Sequence, residues 1–252
     1  MIEELSDLGW FLIAVIGLAV LQRRLHFEIQ ALLFLLTKRI DLSMTIFAIL
    51  FLPGVLIHEL SHYGMARLLN VPVGKLSLIP QPLPDGRMRL GYVETKSTDF
   101  IRDALIGAAP LIVGSFVVAY AGLINLQFTV FWAEFTMSDL SLAISDLSWI
   151  FNQQDFWIWF YIIFVVSSTM FPSTTDRRGW TPILLTIGVL VSLVLISGLG
   201  LWLWEMIGSY LLDLVRLLSM IFLVSALVHL LLLIPIWALR FSLSRIFRLK
   251  VI

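Results

Sequence analysis

The sequence predicts an all-α polytopic membrane protein with about six transmembrane helices and one small β-hairpin at the membrane surface. Three observations predict it. The 252 residues are 60% hydrophobic and only 13% charged, about half the ~25% charge of a soluble domain; mean hydropathy is +0.97. Apolar runs approaching the roughly 20 residues that cross a hydrocarbon core recur along the whole chain. One stretch between runs alternates apolar and polar residues as strands do. The chain has no cysteine, which excludes disulfides and thiolate metal sites and leaves His, Asp and Glu as candidate ligands. Its net charge is zero, so no nucleic-acid partner is implied.

Glu3, Glu4 and Asp7 precede the first apolar run. A cleaved signal would have a basic start and a small-residue cleavage site, so the first segment is expected to stay in the mature protein. Residues 8–21 read as a short first span. Residues 27–37 are apolar but too short to cross alone, and read as an interfacial, re-entrant or thin span. Residues 44–69 form a strong span, bent or weakened near Pro53. In residues 71–96, Leu76 and Leu78 alternate with Lys75 and Ser77. Met88, Leu90 and Tyr92 alternate with Arg87, Arg89 and Gly91. With Pro84-Asp85-Gly86 as the turn between them, this is a β-hairpin at the membrane surface. Residues 100–124 are the next span. Leu140, Ile144, Leu147 and Phe151 then recur at helical spacing, which predicts an amphipathic surface helix over 138–151. Residues 156–170, 180–204 and 211–241 complete the spans. Trp10, Trp132, Trp157, Trp180 and Trp204 read as interfacial anchors. The division is 1–43 for the N-terminal membrane segments, 44–180 for a three-helix core, and 181–252 for the C-terminal helices.

The third run contains His58-Glu59-Leu60-Ser61-His62, an H-E-x-x-H motif. On a helix the two imidazoles stand about 40° apart and can reach one metal, with Glu59 beside them as a proton acceptor. Ionisable groups are costly in hydrocarbon and point to function there. With four His and seven Glu in the chain, composition alone predicts roughly 0.002 such motifs.

A catalytic zinc site needs a third protein ligand and one open position. The candidate is Asp176, which follows the 156–170 span and lies between the helix breakers Pro172 and Gly179. Two readings stand at Asp176: a metal ligand, or an interfacial ion pair with Arg177 or Arg178. Charge sets the orientation. Segment 67–102 is basic, whereas 126–155 carries Glu134, Asp139, Asp146 and Asp155 and no Lys or Arg. By the positive-inside rule the hairpin, Asp176 and the basic C-terminal tail are cytoplasmic. The motif helix then runs inward and places its site in the membrane, nearer the cytoplasmic face. Arg23-Arg24 and Lys38-Arg39 flank residues 27–37 and leave the side of the N-terminus open.

HELSHYGMARLLNVPVGKLSL, from His58 onward, resembles the active-site helix and following strand of the site-2 protease family, the intramembrane zinc metalloproteases. Gly107-Ala108-Ala109-Pro110 resembles that family's Gly-Pro helix motif. Pro172-Ser173-Thr174-Thr175-Asp176 sits where the family has its Asp-Gly motif. Arg177 replaces the Gly, and Val113 stands where many members have Asn. The resemblance covers roughly residues 44–180. It implies Zn2+ held by His58, His62 and Asp176, with Glu59 as the general base. The implied activity is zinc-dependent endopeptidase cleavage, with zinc-activated water, of a membrane-anchored protein in or near its transmembrane segment. The resemblance thus implies regulated intramembrane proteolysis, with the plasma membrane of a prokaryote as the expected location. An unwound substrate would add as a strand to the hairpin edge. The alternatives are a catalytically inactive zinc-binding membrane scaffold and, behind it, a metal-ion transporter.

Bland readings cover the other polar residues. His229 reads as a buried residue bonded across the bundle. His26 reads as interfacial. Asp213 and Arg216 read as a structural pair. Gly107, Ala108, Gly114, Ser115 and Gly122 form a small-residue stripe for close helix packing.

Overall fold

The computed structural model describes residues 2–82, 88–127, 153 and 155–247, of which about 81% are helical. The helices are α1 (Ile2–Thr37), α2 (Ile40–Leu68), α3 (Phe100–Ala119), α4 (Phe156–Thr169), α5 (Trp180–Ile196) and α6 (Gly200–Phe247). A wide π turn, Tyr120–Asn125, extends α3, and a 3-10 turn, Asp176–Gly179, precedes α5. Among the described residues five of these helices are long and apolar enough to cross a membrane; α4 is the shorter sixth. The expected hairpin is present. Strand β1 (Val73–Ser77) pairs antiparallel with β4 (Tyr92–Thr95), with Leu76 opposite Val93. Strand β2 (Gln81–Pro82) pairs with β3 (Met88–Arg89). The turn expected at 84–86 and the amphipathic helix expected at 138–151 lie outside the described residues.

Helices α2, α3 and α4 pack around the site within a core to which α1 and α6 also contribute, and small residues decide how closely the three meet. The Tyr161 hydroxyl donates to the Leu50 carbonyl at 2.7 Å, in the turn before Pro53. Phe51 and Phe164 pack with ring centroids 5.3 Å apart. A β-carbon on Gly54 would meet the Val165 carbonyl and the Thr169 hydroxyl. The pairings 50 with 161 and 54 with 165 make α4 parallel to α2. Helix α3 runs the other way: Gly114 lies against Met170, and Tyr120 against Trp159. Helices α1 and α6 are parallel to each other along their shared length. Asp7 meets Arg216 at 2.9 Å, Phe11 meets Phe222, Glu28 meets Arg240, and Lys38 lies over the Phe247 ring.

Three expectations are corrected. Residues 8–21 and 27–37 are not separate segments but one 36-residue helix. Its polar middle is compensated inside the bundle. Glu28 is fully buried with Arg24 at 2.6 Å and Arg240 as partners. Gln22 donates to the Ser168 carbonyl at 2.5 Å. Secondly, the 180–204 span stops at Ile196, because Gly198 turns the chain with φ 77°. A single 48-residue helix then runs to Phe247 in place of a span over 211–241. Thirdly, the end of α6 is not at the hairpin end. Phe247 sits with Lys38, beside the start of α2, whereas the hairpin and Asp176 follow the far ends of α2 and α4. Charge counting missed this because it took α5 to recross the core, whereas none of its residues is buried and α6 alone makes the return pass.

The bland readings of His229, Asp213 and the glycine stripe agree with the structure. Nδ1 of His229 donates to the Ser225 carbonyl at 2.7 Å, so Nε2 accepts from the Ser168 hydroxyl at 2.9 Å. Asp213 pairs with Arg216 at 3.4 Å. His26 packs edge-on against Phe47 and Phe51 of α2.

Candidate metal centre

The structure brings His58, His62 and Asp176 together. One turn of α2 stacks the two histidines, and their Nε2 atoms approach to 3.2 Å. Asp176, 114 residues beyond His62, contributes Oδ1 at 3.3 Å from His62 Nε2 and Oδ2 at 3.8 Å from His58 Nε2. The ligand atoms all lie within 4.8 Å of one another. Four donors arranged tetrahedrally around zinc at 2.0–2.1 Å stand about 3.3 Å apart. The observed spacing fits a small tetrahedral cation with one position left over. Among the described residues no other group of three potential ligands converges in this way.

The hydrogen bonding of His62 leaves its Nε2 free for a metal. His62 Nδ1 faces the Ile106 carbonyl at 2.8 Å. A carbonyl only accepts, so Nδ1 carries the proton and Nε2 presents its lone pair to the site. This is the outer hydrogen bond that orients a metal-binding imidazole. On His58, the Thr169 backbone carbonyl bears on the ring, although Nδ1 closes no bond of ordinary geometry. Two lone pairs aimed at each other across 3.2 Å repel unless a cation or a proton lies between them.

Asp176 is held by its own turn. The Ser173 N–H donates to Asp176 Oδ2 at 2.7 Å, and the Asp176 N–H donates to Ser173 Oγ at 3.3 Å. This reciprocal pattern is a capping box, readable in the sequence as Ser-x-x-Asp. The ion-pair reading of Asp176 does not hold. Arg178 reaches Asp103 at 3.3 Å, and Arg177 donates to the Ser173 carbonyl. The turn lies flat on α3 because neither side has a β-carbon in the way. A β-carbon on Gly107 would overlap the Asp176 backbone, and one on Gly179 would come within 2.6 Å of the Ala104 nitrogen.

Glu59 follows His58, a step of about 100° around the helix, and is buried. The segment joining β3 to β4 passes over it. A β-carbon on Gly91 would stand 3.0 Å from Glu59 Cγ and 3.2 Å from its Oε1. The hairpin therefore covers the carboxylate that neighbours the ligands. The sequence pointed to His58, His62 and Asp176, which the structure brings together, and to Glu59 beside them; it assigned no role to Ile106, Ser173 and Gly91, which orient or enclose them. The capping-box spacing was the available signal for Ser173; the other two act through backbone contacts made only in the fold.

No family model, curated protein or solved structure matches the chain.

Proposed function

We propose that this protein is an intramembrane zinc metalloprotease of the site-2 protease kind, cutting a membrane-anchored protein in or near its transmembrane segment. The observation that carries this reading is the convergence of His58, His62 and Asp176 beside Glu59, on helices apolar enough to lie in a bilayer. His58 begins about 27 Å along α2 and has about 15 Å of helix beyond it. The site end of the bundle carries Arg67, Lys75, Arg89, Lys96, Arg102, Arg177 and Arg178, so we orient it toward the cytoplasm.

His58, His62 and Asp176 would hold the ion. When bound, zinc supplies Lewis acidity, which polarises a peptide carbonyl and acidifies water. Glu59 takes the proton from the attacking water and returns it to the leaving amine nitrogen. The hydrogen bonds of His62 and Asp176 keep the ligands from rearranging during that transfer. The outer edge of β1, which β4 does not occupy, offers backbone groups to an unwound substrate segment.

The test compares wild type, Glu59→Gln and His58→Ala in proteoliposomes with a library of transmembrane peptides. Wild type should cut at least one peptide. Glu59→Gln should bind zinc and cut none, and His58→Ala should do neither. Zinc binding without Glu59-dependent cleavage would favour the inactive scaffold. Zinc flux surviving Glu59→Gln would favour transport.

A further inference from the structure

The Ile106 carbonyl that holds His62 is available because of the residue four positions later. In an α-helix the carbonyl of residue 106 accepts from the N–H of residue 110. Residue 110 is Pro, inside α3 and buried, and Pro has no N–H. Its ring also presses on the carbonyl four residues back. The Ile106 carbonyl is thus released from its helix and turned outward. The His62 Nδ1–H takes it at 2.8 Å.

We propose that Pro110 is a positioning residue for the metal centre: by withholding a backbone donor it leaves the Ile106 carbonyl for His62, and so fixes which His62 nitrogen faces the ion. The inference rests on the metal-centre reading above. It assigns the Gly107-to-Pro110 stretch two separate tasks on one face of α3. Gly107 admits the Asp176 backbone, and Pro110 releases the acceptor for His62. Two of the three ligands are then set by α3, which contributes no ligand itself.

A purely structural proline and a positioning proline predict opposite results. Pro110→Ala restores the helical N–H and removes a helix breaker, so the metal-free chain should melt at the same temperature or higher. The same change makes the helix compete with His62 for the carbonyl. Zinc affinity of the full chain in detergent should fall about 10- to 100-fold, the range seen when an outer partner of a metal ligand is lost. The visible spectrum of the Co2+-loaded protein should change with the ligand geometry. Pro110→Gly and Pro110→Ser carry the same N–H and should behave alike if Pro110→Ala fails to accumulate. Replacing residue 110 by the α-hydroxy acid analogue of alanine, with an ester oxygen for the N–H, should restore affinity. Folded Pro110→Ala with wild-type zinc affinity and an unchanged Co2+ spectrum would overturn the inference alone, as would an ester variant as weak as Pro110→Ala. A wild-type chain that binds no zinc would overturn the metal-centre reading and this inference with it.

Discussion

The backbone of Asp176 occupies the space that a β-carbon on Gly107 would need. The third ligand therefore reaches the histidines only because α3 is bare at that point. Gly107→Ala should push the Asp176–Gly179 turn away from α3. Overpacking of this kind costs about 1–3 kcal/mol. If that cost falls on the ligand geometry, zinc affinity drops roughly 5- to 150-fold. Isothermal titration of zinc into wild type and Gly107→Ala checks this. Equal affinities would show that the turn can shift without disturbing Asp176.

Gly91 makes a different prediction, because it lies against Glu59 rather than a ligand. A β-carbon there would also stand 2.9 Å from Val55 Cγ1, so Gly91→Ala must displace Glu59 or lift the hairpin. Zinc affinity should stay within twofold of wild type while the rate of peptide cleavage falls at least tenfold. Measuring both on one preparation separates a disturbed base from a disturbed metal site.

The metal centre ties α2 to the turn before α5, so a bound ion should stabilise the fold. At free zinc 100 times the dissociation constant the gain is about 2.7 kcal/mol. A chelator should lower the melting temperature in detergent, and added zinc should restore it. In His58→Ala the melting temperature should respond to neither treatment.

The motif was legible because His58 and His62 are neighbours on one helix, and a four-residue spacing states that directly. Asp176 was legible by topology: α4 runs parallel to α2, as the order of spans required, and Ser173 marks a local turn. The continuity of α1 was not legible. Gln22, Arg23, Arg24 and Glu28 look like a break in an apolar run, and nothing near them shows that Glu28 is matched by Arg240, 212 residues away. The course of α6 was hidden for a related reason. Hydropathy marks α5 as apolar enough to cross a bilayer, but does not show that none of its residues is buried and that α6 alone passes back along the core.

Helix α3 carries both the Ile106 carbonyl and Gly107, so its first turn bears on the site. Asp99 caps that turn, accepting from the Arg102 N–H at 3.0 Å, and this backbone N–H holds its carboxyl below the usual range. A folded value below the unfolded one contributes stability above the unfolded value and loses it as pH falls through the folded value. Exchange protection of the Arg102 amide, relative to its intrinsic rate, should therefore decline below about pH 4. Asp99→Asn keeps an acceptor without the charge, and its protection should be independent of pH over that range.

Glu28 is fully buried between Arg24, which is half exposed, and Arg240, which is not. Removing one partner of a buried pair strands the other charge, at a cost of about 3–5 kcal/mol. Glu28→Ala should thus lower the melting temperature of the detergent-solubilised chain sharply, even though it lies away from the metal ligands. The pair itself carries a desolvation cost, so replacing both partners by apolar residues of similar size is often neutral. Glu28→Leu combined with Arg240→Leu should recover most of the loss and retain zinc binding. If the double variant is as unstable as Glu28→Ala, the pair itself contributes net stability to the packing of α1 on α6. If Glu28→Ala melts like wild type, the Glu28 pair adds nothing to the packing of α1 on α6, which then rests on their other contacts, Phe11 on Phe222 and Asp7 with Arg216 among them.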